Sequence, residues 1–417
     1  MTPVSRRTFV GLTAAGVALA AGTGISSAYS RVQGLSSLTK GAQPITAQEH
    51  AARIARLQSL MQQRKIAALL VEPGSSLEYF TGIRWRRSER TTAALIPADG
   101  GVVVVTPFFE EPSVRETLKI TADVRTWNED ESPFEFIANA LRDRPPAEGP
   151  LAVEETTRFF IVDRIRKLTG VGSVVSGDDL VNACRMIKSS AEIALMQAAN
   201  NVTIAALRHV HGKVKAGMSG PDIMKMMVAA TEALGGNHEF SLVLLNDASA
   251  YPHGTEKPQT VRRGSVVLID TGCSVHGYQS DISRSWVFGE STARQREVWD
   301  TVKRGQEIAL ETAKIGVPVG AIDKAVRAYY EGRGWSKDYG LPGTSHRTGH
   351  GIGMDGHEAP YLMRTETTPL AAGMCFSDEP GIYIPGEFGI RMEDCWYMTE
   401  AGPKLFTPLA ESIDRPI

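Results

Sequence analysis

Four carboxylates and one imidazole stand where they could act together. Asp270 closes the run SVVLID, and Asp281 opens the return run DISRSWVF after the turn-rich TGCSVHGYQS. Glu379 lies in CFSDEPGIYI, and Glu393 in GIRMED beyond the turn IPGEF. His350, in GHGIGMDGHE, falls between the two pairs. Each pair reads as a β-hairpin with an acid on each arm, and cross-strand neighbours on one sheet face lie about 5 Å apart. A lone acid at a strand end is usually solvated, but a charge flanked by VVLI, by SW, by Pro-Gly or by IRM needs a partner. Converging carboxylates repel and resist ionisation. Two divalent cations would remove that conflict. Oxygen donors with one imidazole suit Mn²⁺, Fe²⁺, Co²⁺ or Zn²⁺, and two such ions about 3.5–4 Å apart form a hydrolytic centre with a bridging hydroxide as nucleophile.

The same stretch raises a competing chemistry. GIGMDG matches the G-x-G-x-x-G dinucleotide fingerprint. That fingerprint needs a strand before it and a helix after it. Here GLPGTSHRT precedes it as a loop, and Pro360 interrupts the residues that follow. The glycines fit better as close backbone packing around His350. No G-x-S-x-G elbow or Walker loop occurs elsewhere.

These residues need a scaffold, and the chain has room for one. Its 417 residues suggest two or three domains. With 42% hydrophobic and 22% charged residues it reads as a soluble globular chain. A net charge of −2 recommends no nucleic-acid or acidic-membrane partner. The first residues, with Arg6 and Arg7 before an Ala/Gly-rich apolar run and ISSA, read as a twin-arginine-type signal over residues 1–29. The apolar run is too short to span a bilayer, which takes about 20 residues; no stable membrane anchor is expected, and the mature protein is expected to be periplasmic or secreted. Cys184, Cys273, Cys375 and Cys395 form no C-x-x-C pair. Their oxidation state is open, because export permits disulfides while apolar strand contexts suit buried thiols.

Residues 30–45 read as a linker. Helical and strand patterns then alternate over 46–178, which suggests a smaller α/β domain. AARIARLQSLMQQRKI has helical spacing, SSLEYFTG reads as short strand and turn, and TTAALIPADGGVVVVTP reads as a hairpin around Asp99-Gly100-Gly101. Over 185–417, four helical patterns interleave with strands, which gives an α+β domain with antiparallel pairs. Helices are expected from Ser190, after Pro221, over ARQREVWDTVKRGQEIALETAK and over AIDKAVRAYYEGRG.

Taken together, DTGCSVHGYQSDISRSW, HRTGHGIGMDGHE, SDEPGIYI and GIRMED resemble the pita-bread metallopeptidases, in the prolidase and aminopeptidase P branch. SSLEYFTG and the preceding α/β pattern resemble that branch's N-terminal creatinase-like domain. The resemblance implies an α+β catalytic pita-bread domain and hydrolysis of Xaa-Pro bonds. It implies two divalent ions, manganese first, with cobalt, zinc or iron as alternatives. Asp281 and Glu393 would bridge the ions. Asp270 would complete one shell, and His350 with Glu379 the other. Glu379 would also take the proton of the attacking water. His357 would steady the tetrahedral intermediate, and His253 would contact substrate near the scissile bond. His346 would be a pocket residue, and Tyr383 and Arg391 would stand beside the metal site. Dipeptide-specific relatives carry an arginine shortly after the second histidine. Tyr361 stands in that stretch here, and Arg364 lies three residues on as a substitute. Dipeptidase and aminopeptidase specificities therefore both stay open. Trp85 is a candidate to cap a neighbouring subunit's pocket in a homodimer or higher homo-oligomer. A non-peptide hydrolase or lyase, or a binding module on a dead scaffold, is the competing class; the intact set of five ligand residues argues against a scaffold that has lost them.

Overall fold

The computed structural model describes residues 34–143, 149–169 and 174–417. The signal-like segment 1–29 lies outside the described residues. No helix among the described residues is long and apolar enough to cross a membrane. Residues 34–45 form no helix or strand, but they are tied down: the Leu38 N–H donates to Leu234 O at 2.8 Å and Thr39 Oγ1 to Gly235 O at 3.0 Å.

Helix α1 (Ala47–Arg64) begins where the sequence placed it. Thr46 and Glu49 form a reciprocal capping box that satisfies two free backbone donors. Leu57 and Met61, one helical turn apart, are buried against the sheet. That sheet has six strands: β1 (Ala68–Val71), β2 (Ala93–Pro97), β3 (Val102–Pro107), β4 (Ala122–Trp127), β5 (Leu151–Val153) and β6 (Val174–Ser176), in spatial order β4-β3-β2-β1-β5-β6. The β2–β3 hairpin is antiparallel, whereas β3–β4, β1–β5 and β5–β6 are parallel. SSLEYFTG departs from the strand-and-turn expectation. Ser75–Thr81 is helix α2, ended by Gly82 at φ 79°. Leu77, Tyr79 and Phe80 bury their side chains there, so packing overrides the β preference of the aromatic residues. Helices α3 (Glu111–Thr117), α4 (Pro133–Arg142), α5 (Phe159–Thr169) and α6 (Asp178–Arg185) complete this part.

The second part opens with α7 (Ser190–His211), capped by Ser189 and Glu192, and α8 (Gly220–Ala233), capped by Ser219 and Asp222 with Pro221 in its first turn. A first sheet follows. Its order is β10 (Ile282–Phe288), β8 (Ser265–Val275) and β7 (Asn237–Leu245), with the short β9 (Tyr278–Gln279) paired to β8. Helices α7 and α8 pack on β8 and β7. After α9 (Ala293–Thr312) and α10 (Gly320–Gly332) comes a second sheet. It runs β12 (Glu358–Leu362), β11 (Gly349–Gly351), β13 (Cys375–Asp378), β16 (Asp394–Thr399) and β17 (Gly402–Leu405). A separate two-stranded ribbon pairs β14 (Gly381–Ile384) with β15 (Phe388–Arg391). Side chains of α9 and α10 share one core with these last strands.

Two contacts lock the sheets together at one place. The backbones of Ser283 and Glu393 exchange both hydrogen bonds, at 3.1 and 3.2 Å. Beside them, the buried Arg284 reaches both carboxylate oxygens of the buried Asp394, at 2.7 and 3.1 Å, and Gln306 and Thr407 also donate to that carboxylate. Removing one partner of such a buried pair would leave the other charge uncompensated, at a cost of about 3–5 kcal/mol. All four cysteines are free and buried.

Candidate metal centre

The first hairpin holds as read. Strands β8 and β10 pair antiparallel with Asp270 opposite Ser283. Asp281 lies two residues before Ser283, so its side chain takes the same face. The second hairpin is broken. Ser377 pairs Cys395 and Asp378 pairs Asp394 in one sheet, while Gly381 pairs Arg391 in the separate ribbon. Glu379-Pro380 and Met392-Glu393 are the two crossing points. Pro380 has no N–H for a ladder, and the backbone of Glu393 is spent on Ser283. Both glutamates are thereby turned toward the aspartates of the first sheet.

His350 sits mid-way along β11, opposite Tyr361. Its neighbours must be glycine. A Cβ on Gly349 would lie 2.3 Å from Ser377 O, and one on Gly351 would lie 2.4 Å from Glu358 O. GIGMDG is followed by strand β12, not by a helix, so its glycines serve close packing. Nε2 of His350 lies 3.6 Å from Glu379 Oε1, 3.7 Å from Glu393 Oε1 and 3.8 Å from Asp281 Oδ2. Asp270, Asp281 and Glu393 also offer oxygens close enough to share one ion, and His350 offers a ring nitrogen close enough to do so with oxygens of Glu379 and Glu393.

The electrostatics call for cations. Asp281 and Glu393 are buried, and Asp281 Oδ1 and Glu393 Oε1 have no hydrogen-bond partner. Burial, reinforced by neighbouring carboxylates, holds the carboxyls of Asp281 and Glu393 well above the usual range. Burial pushes Glu379 up to about 7, with Arg391 pulling the other way. Burial keeps the His350 imidazole neutral, which leaves Nε2 a free lone pair. Orphaned anionic oxygens around a neutral imidazole form a donor set that fits divalent ions.

The remaining residues frame this centre in one cavity of about 1100 Å³. Arg391 is fully engaged: it donates to Asp270 Oδ2 at 2.7 Å, Ser283 Oγ at 3.0 Å, Tyr383 Oη at 3.0 Å and Pro252 O at 3.2 Å. His346 Nε2 lies 2.7 Å from Tyr383 Oη, and burial drives its pKa down to about 3. The His357 ring is 4.0 Å from that of His350, and His253 lines the same cavity. Ser283 escaped notice in the sequence. Its Oγ lies 2.9 Å from Asp270 Oδ1 and 3.0 Å from Glu393 Oε2; its place two residues after Asp281 on one strand was the available signal. Arg347, between two histidines in HRTGH, also lines the cavity.

Three sequence candidates stand elsewhere. Arg364 is drawn to Asp338 and is not part of the cavity wall. Tyr361 lies beneath the guanidinium of Arg347, 4.2 Å from its Cζ to the ring centre. Trp85 borders a second cavity of about 440 Å³ in its own chain; His357 lines both cavities.

An acid–imidazole cluster held between two docked antiparallel sheets, behind a smaller α/β unit, defines a pita-bread metallopeptidase. Residues 194–400 match the model of metallopeptidase family M24, and residues 53–187 that of the creatinase/prolidase N-terminal domain. The chain is 30% identical over 371 residues to a Mycobacterium tuberculosis protein named probable dipeptidase PepE, covering 87% of this chain and 95% of that one. It is 29% identical over 359 residues to an Xaa-Pro dipeptidase of Lactobacillus helveticus, covering 84% and 95%. The crystal structure of dipeptidase PepE from Mycobacterium ulcerans superposes with a TM-score of 0.80 at 29% identity, covering 88% of this chain and 97% of that one. The chain belongs to metallopeptidase family M24 and carries the family's N-terminal domain.

Proposed function

We propose that this enzyme hydrolyses the Xaa-Pro bond of dipeptides with two divalent ions, manganese first, held by Asp270, Asp281, His350, Glu379 and Glu393. The observation that carries the reading is the pair of orphaned buried oxygens on Asp281 and Glu393, facing His350 inside a wide cavity. The relative named as an Xaa-Pro dipeptidase supports the substrate class. Bound there, the ions would supply Lewis acidity and an activated water. The protein's own groups do the rest. Glu379, in contact distance of His350, takes the water's proton and hands it on. His357 donates to the developing oxyanion. His253 orients the scissile bond. The proline nitrogen is a tertiary amide without an N–H, so it leaves only once protonated. Arg391 and Ser283 hold Asp270 and Glu393 in place.

The test is metal stripping followed by single addition of Mn²⁺, Co²⁺ or Zn²⁺, with an Xaa-Pro dipeptide and a longer Xaa-Pro peptide assayed side by side. Restored cleavage of the dipeptide is expected with Mn²⁺; cleavage of neither peptide under any metal sinks the reading. The cavity volume favours one second reading, aminopeptidase action on longer peptides, and turnover of the longer peptide alone would establish it.

We further propose export through the twin-arginine-type leader to the periplasm or medium. The supporting observation is the order Ser-Arg-Arg-x-Phe before the apolar run. Replacing Arg6 and Arg7 by Lys should leave the protein in the cytoplasm; unchanged secretion refutes the assignment.

A further inference from the structure

A dipeptide differs from a longer peptide by a carboxylate one residue beyond the scissile carbonyl. One extended residue spans about 3.3–3.6 Å. A cavity of about 1100 Å³ exceeds what a small ligand needs, so size alone does not select for length. A charge must do so, and the cavity wall contains two guanidinium groups, Arg347 and Arg391. Arg391 is 3% exposed and already satisfied by Asp270, Ser283, Tyr383 and Pro252. Arg347 is different. Among the described residues it has no carboxylate in an ion pair. Its guanidinium contacts there are the Tyr361 ring, 4.2 Å from Cζ, and a long 3.4 Å approach of Nη2 to His357 Nδ1, and its charge also acts on Glu379 without pairing with it. It is half-buried, so its charge is only partly screened by solvent.

Its position suits one residue of reach. His350 is in the acid cluster, the His357 ring lies 4.0 Å from it, and Arg347 is next in the row. Its place over the Tyr361 ring restrains the guanidinium and, the long approach to His357 apart, leaves its N–H donors available to a bidentate carboxylate.

Resting on the peptidase reading above, we propose that Arg347, braced on Tyr361, binds the C-terminal carboxylate of an Xaa-Pro dipeptide and sets substrate length. This moves the role away from Arg364, whose guanidinium is taken by Asp338.

The experiment uses the full metal-loaded chain with Leu-Pro and Leu-Pro-amide, which differ only in that carboxylate. Arg347→Met keeps most of the stem's packing on Tyr361 and removes the charge. Its KM for Leu-Pro should rise on the order of 10- to 100-fold, with Leu-Pro-amide unchanged. Arg347→Lys, a point charge without the fork, should fall between. Calorimetry should show L-proline binding weakened by the Met variant and L-prolinamide binding unaffected. Unaltered melting and metal content establish that the variants are folded. Equal loss on dipeptide and amide, the result of Arg347 merely steadying His357, overturns the proposal; so does no loss on either. A wild-type chain that cleaves neither substrate overturns the peptidase reading itself, and the two failures are thereby told apart.

Discussion

Glu393→Gln is expected to lower kcat/KM on an Xaa-Pro dipeptide by on the order of 10³-fold or more, about 4 kcal/mol of lost transition-state stabilisation. The reason is geometric. Glu393 holds one oxygen against Ser283 and turns the other, unpartnered, toward His350 at 3.7 Å. Gln keeps the shape but removes the charge that would hold two ions together. Metal content per chain should fall with activity, as measured by elemental analysis of the purified variant. The fold should survive, because the backbone bonds of residue 393 to Ser283 do not depend on its side chain. Indeed, the metal-free variant should be more stable than the metal-free wild type at neutral pH, since a crowded buried carboxyl has been replaced by a neutral amide. Full activity with full metal content would reject the bridging role.

The second large effect concerns pH. Metal-stripped protein is expected to lose more stability than loaded protein as pH rises from about 7 to 9. The sign follows from linkage. Asp281 and Glu393 have folded pKa values raised well above the usual carboxyl range, and Glu379 is raised to about 7. A raised group contributes stability that is fully present below its unfolded pKa, about 4. That contribution disappears as pH climbs through the folded value. The histidines act oppositely: burial lowers His346, His350 and His357, so their contribution is lost as pH falls below about 6.5. The two trends oppose each other at acid pH. Above pH 7 the imidazoles are neutral in both states; the four buried thiols and Asp378, all raised by burial, add the same slope to stripped and loaded protein, so the carboxyls of the centre set the difference between the two. Each carboxyl still protonated in the folded state tilts the curve by about 1.4 kcal/mol per pH unit. Metal ligation by these acids would ionise them and flatten the slope. Urea titrations at pH 7, 8 and 9, with and without chelator, measure it. Parallel curves for the two forms would mean that these acids are not the ligands.

Much of this was legible before any coordinates. The starts of α1, α7 and α8 were legible from apolar spacing and from Pro221, and the structure adds capping side chains at Thr46, Ser189 and Ser219; spacing and caps both act within a few residues, a purely local matter. The β8–β10 hairpin was legible for the same reason, since turn and alternation lie within one stretch. Helix α2 was misread because a run containing Leu77, Tyr79 and Phe80 has no local preference strong enough to outweigh the core that receives it. Arg364 stands outside the cavity wall and against Asp338, because sequence distance says nothing about which acid a long flexible side chain will meet.

The chain's sequence by itself determined the family, the α+β class and the identities of the acids and imidazoles, because these depend on residue type and order along the chain. Tertiary structure alone decided how they meet. The ribbon had to break at Pro380 and Met392 so that Glu393 could spend its backbone on Ser283 and its side chain on the centre. It also decided which arginine lacks an ion-pair partner, because Arg391 is consumed by Asp270 across the docked sheets while Arg347, among the described residues, has its guanidinium over a ring face and beside an imidazole edge. Charge pairing is a matter of a few ångströms between segments more than a hundred residues apart, and no local pattern in the chain encodes that distance.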